Sequence, residues 1–309
     1  MPEWTPQEFE LKFQLSDLVL FRGGFTILTH GCTLDEILAG RYPARPDALP
    51  PDCSGYLVRS APGPSPRYAL ATAGEFLCYT LLSYSHCYID LSGSFLDYQD
   101  KFSSKSRSTI RRKLKKFATH CGGQISLRRY SFPFEMEDFY RHARSVSMRT
   151  YQERRWDLGL PEGQDFLAHV TAAAERDEVR GYLLFDGRRP TAYLYCPVAG
   201  TTLLYSHLGF DPEYAEWSVG TLLLWSSLES MFDEKRFAYL DFTEGDSAQK
   251  RMFSTHQIPC HNRLALRNTT RNSLLLHAHG RLETLAERAG RLLDRFGLKS
   301  TIKHHLRGT

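Results

Sequence analysis

Long apolar runs are missing from this 309-residue chain. The best candidate for a membrane span, residues 76–91, is broken by Ser83, Ser85 and His86, so stable membrane insertion is not expected. The start, Met1-Pro2-Glu3-Trp4, has no basic segment leading into an apolar one, and no secretory signal is expected. Seven cysteines, Cys32, Cys53, Cys78, Cys87, Cys121, Cys196 and Cys260, are odd in number and never spaced C-x-x-C, which counts against a disulfide framework and a zinc knuckle. These absences predict a protein of the reducing cytoplasm with no metal and no redox cofactor.

Acidic residues are missing locally. Residues 101–134 contain no Asp or Glu but ten bases, Lys101, Lys105, Arg107, Arg111, Arg112, Lys113, Lys115, Lys116, Arg128 and Arg129. Removing them leaves 29 bases against 35 acids, so the formal charge of +4 hides a remainder near −6. Ile110, Leu114 and Phe117 recur at helical spacing, which predicts an amphipathic helix over 104–118 with one apolar stripe and a basic outer face. Such a face is either a solvated surface or a polyanion site built from Lys105, Arg107, Arg111, Arg112, Lys115 and Lys116. Charge alone leaves coenzyme A, tRNA and an anionic lipid surface open.

At this length, with 42% hydrophobic residues, the chain can bury a substantial core and form two domains or subdomains. Strand-like runs at 9–13, 18–21, 55–59 and 68–72 are separated by Pro-rich loops at 43–51 and 61–66. A strand at 88–91, a connector at 92–100, the basic helix and a strand at 125–130 follow. Residues 135–152 and 164–176 read as helices, 179–185 and 191–196 as a hairpin, and 220–232 as a buried helix. A last helix, 273–296, carries Leu275, Leu282, Leu285, Leu292 and Phe296, a stripe suited to core packing or a homodimer seam. The expected divisions are 1–100, 101–268 and 269–309.

Residues 203–250 hold the strongest functional signal. Residues 203–208 read as a strand, Gly209-Phe210-Asp211-Pro212 as its end, Ser218-Val219-Gly220 as a helix start and Tyr239-Leu240-Asp241 as a returning strand. That order sets a helix N-terminus just past a strand end, where unpaired N–H groups favour an anion such as a pyrophosphate.

Further residues carry a family resemblance. Tyr88-Ile89-Asp90-Leu91, Ser104-Lys105-Ser106-Arg107, Ser147-Met148-Arg149-Thr150-Tyr151-Gln152, Arg188-Arg189-Pro190-Thr191-Ala192, Gly209-Phe210-Asp211-Pro212 and Asp241-Phe242-Thr243-Glu244-Gly245 with Lys250 stand in a characteristic order. From about residue 88 onward the chain resembles the CelD/BcsL-type branch of the GNAT superfamily, itself similar to Fem-type peptidyltransferases, which use aminoacyl-tRNA. The resemblance implies an α/β (α+β) fold: a mixed, mainly antiparallel sheet flanked by helices, with a degenerate N-terminal GNAT-like half, a catalytic core and a long C-terminal helix. It implies an acyltransferase that forms an amide between a small-molecule amine and an acyl group carried by acyl-CoA, or alternatively by aminoacyl-tRNA. An inactive GNAT-fold binding protein is a third reading. The family's phosphate loop, Arg/Gln-x-x-Gly-x-Gly/Ala, is matched here only by Ser218-Val219-Gly220-Thr221, and the missing second glycine leaves less room for backbone to approach a pyrophosphate.

The chemistry needs a polarised carbonyl, a neutral amine and a route for its proton. Leu208 and Gly209, at the strand end, are expected to face the donor with Ser218, Val219, Gly220 and Thr221. His207 is the candidate base and Asp241 an orienting or proton-accepting carboxylate; a satisfied structural histidine and a turn cap are the alternatives. Lys250 is a candidate donor-phosphate cation, and Arg149, Tyr151 and Gln152 are expected to border the acceptor. His277, His279, His304 and His305 have no Cys or acidic partner at ligand spacing and read as solvated helix.

Overall fold

The computed structural model describes residues 4–15, 18–150 and 159–295. Two compact units emerge, one of Met1–His86 with Ile258–Thr309 and one of Cys87–Gln257.

The first unit opens with an antiparallel hairpin of β1 (Thr5–Leu15) and β2 (Leu18–Gly31). Phe9, Leu11 and Phe13 alternate with charged or polar residues along β1, and Leu11 and Phe13 are buried, as the two-residue period of a strand requires. The short helix α1 (Leu34–Leu38) starts at a capping box in which Thr33 and Glu36 satisfy each other's backbone N–H groups. β3 (Gly55–Pro62) lies parallel to β2, and β4 (Leu70–Ala73) pairs antiparallel with the start of β5 (Phe76–Asp90).

In the second unit, α2 (Phe95–Asp100) occupies what reads in sequence as a connector, because Ser94 and Asp97 form another capping box. Then come α3 (Ser104–His120), β6 (Ser126–Tyr130), α4 (Met136–Ser147), α5 (Gln164–Glu175), β7 (Val179–Asp186) and β8 (Arg189–Ala199). β9 (Thr202–Leu204), β10 (His207–Phe210), α6 (Val219–Glu234), β11 (Tyr239–Asp241) and α7 (Ala248–Phe253) complete it. Its strands run in the order β5, β11, β9, β8, β7, β6, with β10 also paired to β8. All pairs are antiparallel except β9 with β11, the parallel pair expected of a β-α-β unit.

Alternation along β8 builds this unit's two cores. Ala192, Leu194 and Cys196 pack with Ile110 and Phe117 of α3 and the apolar surface of α6, while Tyr193 and Tyr195 face Phe139, Ala143 and Val146 of α4 and Val170 of α5. The basic helix therefore docks by its expected apolar stripe, with Leu114 packed on the margin of the core. The result is a mixed α/β fold, a mainly antiparallel sheet flanked by helices.

The chain then returns to the first unit through β12 (His256–Arg267), antiparallel to β3, and ends its described course in α8 (Thr270–Arg295). Leu276 of α8 is buried with Leu11, Phe25, Leu57, Tyr79 and Leu264.

One element departs from the sequence reading. The expected strand over 203–208 is two strands, β9 and β10, interrupted at Tyr205-Ser206. Ser206 N–H donates to the Tyr195 carbonyl at 3.3 Å while His207 also pairs with Tyr195, so two residues oppose one in a β-bulge. Beyond the bulge the strand continues through Gly209 and Phe210 rather than ending there.

Candidate functional site

The bulge separates two neighbours of the same chain segment. β9 runs beside β11 as far as Asp241, whose carbonyl accepts the Tyr205 N–H at 2.8 Å; Phe242 N–H then turns away to the Cys87 carbonyl at 3.1 Å. β10 meanwhile stays on β8, where Asp211 N–H reaches the Thr191 carbonyl at 2.8 Å. Since hydrogen-bonded and non-bonded positions alternate in an antiparallel pair, Leu208 and Phe210 turn their N–H and C=O groups to the edge away from β8. Among the described residues no strand covers that edge. A cavity of about 730 Å3 opens there, lined by Tyr193, Tyr205, His207 and Leu208 on one side and Thr243, Glu244 and Lys250 on the other.

His207 is half-buried, and its Nδ1 lies 2.9 Å from Ser206 Oγ. In the tautomer whose Nδ1–H donates to that hydroxyl, Nε2 carries the lone pair. Burial holds its pKa below the ordinary histidine value, so the neutral ring, able to accept a proton, prevails at neutral pH. Tyr205 is shifted the other way: burial raises its pKa, so its hydroxyl stays protonated in the cavity. Tyr193, buried, donates to Ser147 Oγ at 3.2 Å and fixes one wall.

Lys250 sits on α7, whose first turn is capped by Ser247. Its ammonium donates to the Glu244 and Gly245 carbonyls at 2.7 and 3.3 Å, tying the 242–246 loop to the helix. Burial lowers its pKa, against the opposing pull of Cys87, Asp241, Glu244 and Asp246. Asp241 is 4% exposed and accepts the Thr243 N–H at 2.7 Å, which stabilises the positive φ of 59° at Thr243. It shapes the loop beneath the cavity and is not among the described residues of the cavity wall.

The expected phosphate-binding segment lies at the start of α6. Ser218 adopts a left-handed conformation, φ 56°, and makes no side-chain cap to the helix, so the first-turn N–H groups of Val219 and Gly220 receive no hydroxyl. Instead Ser218 Oγ accepts from Lys113 Nζ at 2.9 Å. A lysine at the positive end of a helix dipole is unfavourable by itself and becomes favourable once an anion joins them. Val219 is in the core, and a Cβ on Gly220 would stand 3.3 Å from Leu208 and Phe210, so this glycine lets α6 close on β10. Gly209 has a similar role, since a side chain there would overlap the Tyr193 ring. Thr221 is half-buried one turn in.

Arg149 is drawn away from the cavity: its Nε pairs with Asp211 at 3.1 Å, and its guanidinium points to the Pro190 carbonyl at 3.5 Å. Tyr151 and Gln152 lie outside the described residues. On α3, Arg107 pairs with Asp100 and Arg111 reaches Gln99 Oε1 at 3.5 Å, whereas Lys105, Arg112 and Lys115 project as exposed charges. Lys116 lies 4.3 Å over the Trp217 ring, in the turn before α6.

Thus the structure gathers His207, Leu208 and Lys250 around one cavity and sets Ser218, Lys113 and Lys116 at the helix start. Lys113 was one base among ten in the sequence. Tyr193 and Tyr205 carried only a strand's alternation as a signal, and Glu244 only its place in the Asp241-to-Lys250 element. Replacement of Lys113 by alanine is expected to weaken binding of a phosphate-bearing donor about three- to tenfold without changing kcat, as loss of one partly exposed charge at a helix start should; the donor KM measures it.

No curated protein matches the chain in sequence. Among solved structures it is similar to FemX, with 8% identity over 88% of this chain and 90% of that one and a TM-score of 0.49. It is also similar to L-PGS from Bacillus licheniformis, with 12% identity over 88% of each chain and a TM-score of 0.46. A GCN5-related N-acetyltransferase from Kribbella flavida shares 10% identity over 62% of this chain and 61% of its own, with a TM-score of 0.33. Residues 104–251 match the family model described as an acetyltransferase (GNAT) domain, so the span from α3 into α7 carries the fold of a GNAT acyltransferase.

Proposed function

We propose that the Cys87–Gln257 unit is an N-acyltransferase that moves an acyl group from acyl-CoA to the amine of a small-molecule acceptor. The observation that carries this reading is the uncovered edge of β10 beside the half-buried His207. The Leu208 and Phe210 N–H groups are oriented to donate to a carbonyl oxygen laid along that edge, which stabilises the negative charge developing there as an amine attacks. A C–N bond forms, the C–S bond to coenzyme A breaks, the amine's proton passes to His207 Nε2, and the electron pair leaves on sulphur. Ser218 with Lys113 suits the donor's phosphates, and Lys250 keeps the loop on the far wall in place. Membership of the CelD/BcsL-type branch is part of the same proposal.

A second reading, aminoacyl-tRNA as donor, is favoured by a separate observation: Lys105, Arg112 and Lys115 stand exposed along α3, on the helix that also sends Lys113 to Ser218. The leaving group would then be a ribose hydroxyl, with the rest of the reaction unchanged. One experiment separates the two. Amide formation is assayed with acyl-CoA and with charged tRNA, each before and after RNase, using the wild-type chain and Arg112→Glu/Lys115→Glu. With a coenzyme A donor, turnover resists RNase and the double variant retains it within about twofold. Activity destroyed by RNase and a KM that rises steeply with salt assign the donor to tRNA. Transfer from neither donor sinks the acyltransferase proposal. Lys250→Ala is expected to raise the donor KM and lower turnover; unchanged values would remove Lys250 from the site.

A further inference from the structure

In the Met1–His86 and Ile258–Thr309 unit, a second set of chemically competent side chains converges. His30, in β2, and Cys32, one residue past its end, stand two residues apart, a spacing that puts extended residues on one face. The chain then enters α1, and its first turn brings Glu36 back to them: His30 Nε2 lies 3.4 Å from Glu36 Oε2. One ligand atom from each of His30, Cys32 and Glu36 lies within 4.8 Å of the others. Ligands held at 2.0–2.3 Å around a tetrahedral ion are about 3.3–3.8 Å apart, so small side-chain rotations bring the three into range.

The surroundings suit an ion rather than solvent. His30 is 7% exposed, Cys32 8%, and Cys260, at 1%, lies in the same buried cluster with Ile37, Val58 and Ala61. Glu36 is already oriented, because the Thr33 N–H and hydroxyl both donate to its Oε2, at 2.8 and 3.2 Å. Hydrogen bonds of this kind hold a ligating carboxylate in place. One nitrogen, one sulphur and one oxygen donor, mixed and partly soft, match zinc better than calcium or magnesium, which take oxygen sets.

We propose that His30, Cys32 and Glu36 form a zinc-binding site. As the Cys32 sulphur bonds the ion, its thiol proton is released to solvent. The expectation of no metal came from the absence of repeated cysteine spacing; His-x-Cys-x-x-x-Glu becomes a ligand set only because the capped turn of α1 folds Glu36 back.

The full chain, stripped with a chelator, is titrated with Zn2+ and separately with Co2+. One equivalent of each is expected to bind, and the cobalt form shows a thiolate-to-metal charge-transfer band in the near ultraviolet. Cys32→Ser abolishes that band and weakens zinc at least about tenfold, since even outer-shell losses commonly cost that much. Cys53→Ser, a buried thiol outside the cluster, leaves both unchanged. Glu36→Gln keeps the capping box, which accepts Gln as well as Glu, so the fold persists while zinc weakens and the band remains. Absence of stoichiometric uptake, a charge-transfer band that survives Cys32→Ser, or wild-type zinc affinity in Glu36→Gln overturns the site.

Discussion

Replacing His207 by alanine is expected to lower kcat/KM for amide formation by about 10²–10⁴-fold, the range a positioned general base contributes. The case rests on position and on protonation. His207 forms one residue of the bulge that splits β10 from β11, so its ring stands at the mouth of the gap where an acyl group would lie. Ser206 engages Nδ1 and leaves Nε2 to take the amine's proton. The pH profile gives an independent reading. Burial lowers the His207 pKa, and the active form is the neutral one, so activity holds as pH falls through the ordinary histidine value of about 6.5 and is lost only below it. His207→Gln keeps much of the volume and some polarity but cannot accept the proton, and it is expected to lose turnover without a large change in donor KM. An acid limb centred at or above 6.5, or a glutamine variant of near-normal turnover, would remove His207 from proton transfer.

How far this site was legible depends on whether its signal is local. The basic helix was visible because Ile110, Leu114 and Phe117 repeat within three turns, and α3 forms over 104–120 with that stripe inward. The β-α-β order around α6 was visible for the same reason, as Gly220 and the apolar helix after it are contiguous. The bulge was not. Nothing in Leu203-Leu204-Tyr205-Ser206-His207-Leu208 marks a break, because it arises from where β8 and β11 stand on either side, and those partners are distant in sequence. β12 was missed because Pro259 and the polar run His261-Asn262-Arg263 interrupt its alternation, while pairing with β3 supplies the order that the pattern lacks. The short helices α1 and α2 have too few residues to show a period; their capping boxes were the available signal. Arg149 shows the limit for side chains: its type and place suited an acceptor site, and only the fold reveals that it is committed to Asp211.

Asp211→Ala is expected to destabilise the Cys87–Gln257 unit by roughly 2–4 kcal/mol. Asp211 is 1% exposed and holds three groups at once: Arg189 at 2.7 Å, Arg149 at 3.1 Å and the Glu213 N–H at 3.1 Å. The last of these caps the turn from Pro212 to Trp217 that delivers the chain to Ser218 and α6. Breaking a buried ion pair from one side costs about 3–5 kcal/mol, and that figure is reduced here because the Arg149 and Arg189 side chains are 34% and 42% exposed and can turn to water, while loss of the cap adds about 1. Asp211→Asn separates the contributions. Glu213 is capped by Oδ1 while both arginines pair with Oδ2. An asparagine therefore keeps the cap but turns its NH2, a donor, toward Arg149 and Arg189, and this variant should recover only the cap, about 1 kcal/mol of the loss. Both changes loosen the approach to Ser218 and should raise the donor KM more than they lower kcat, the opposite of the His207 variants. The denaturant midpoint of the Cys87–Gln257 unit, followed by tryptophan fluorescence, together with the donor KM of the asparagine variant, checks these effects. If the alanine and asparagine variants lose the same stability, the cap to Glu213 does not hold this turn; if neither loses any, the ion pairs to Arg149 and Arg189 do not hold it either.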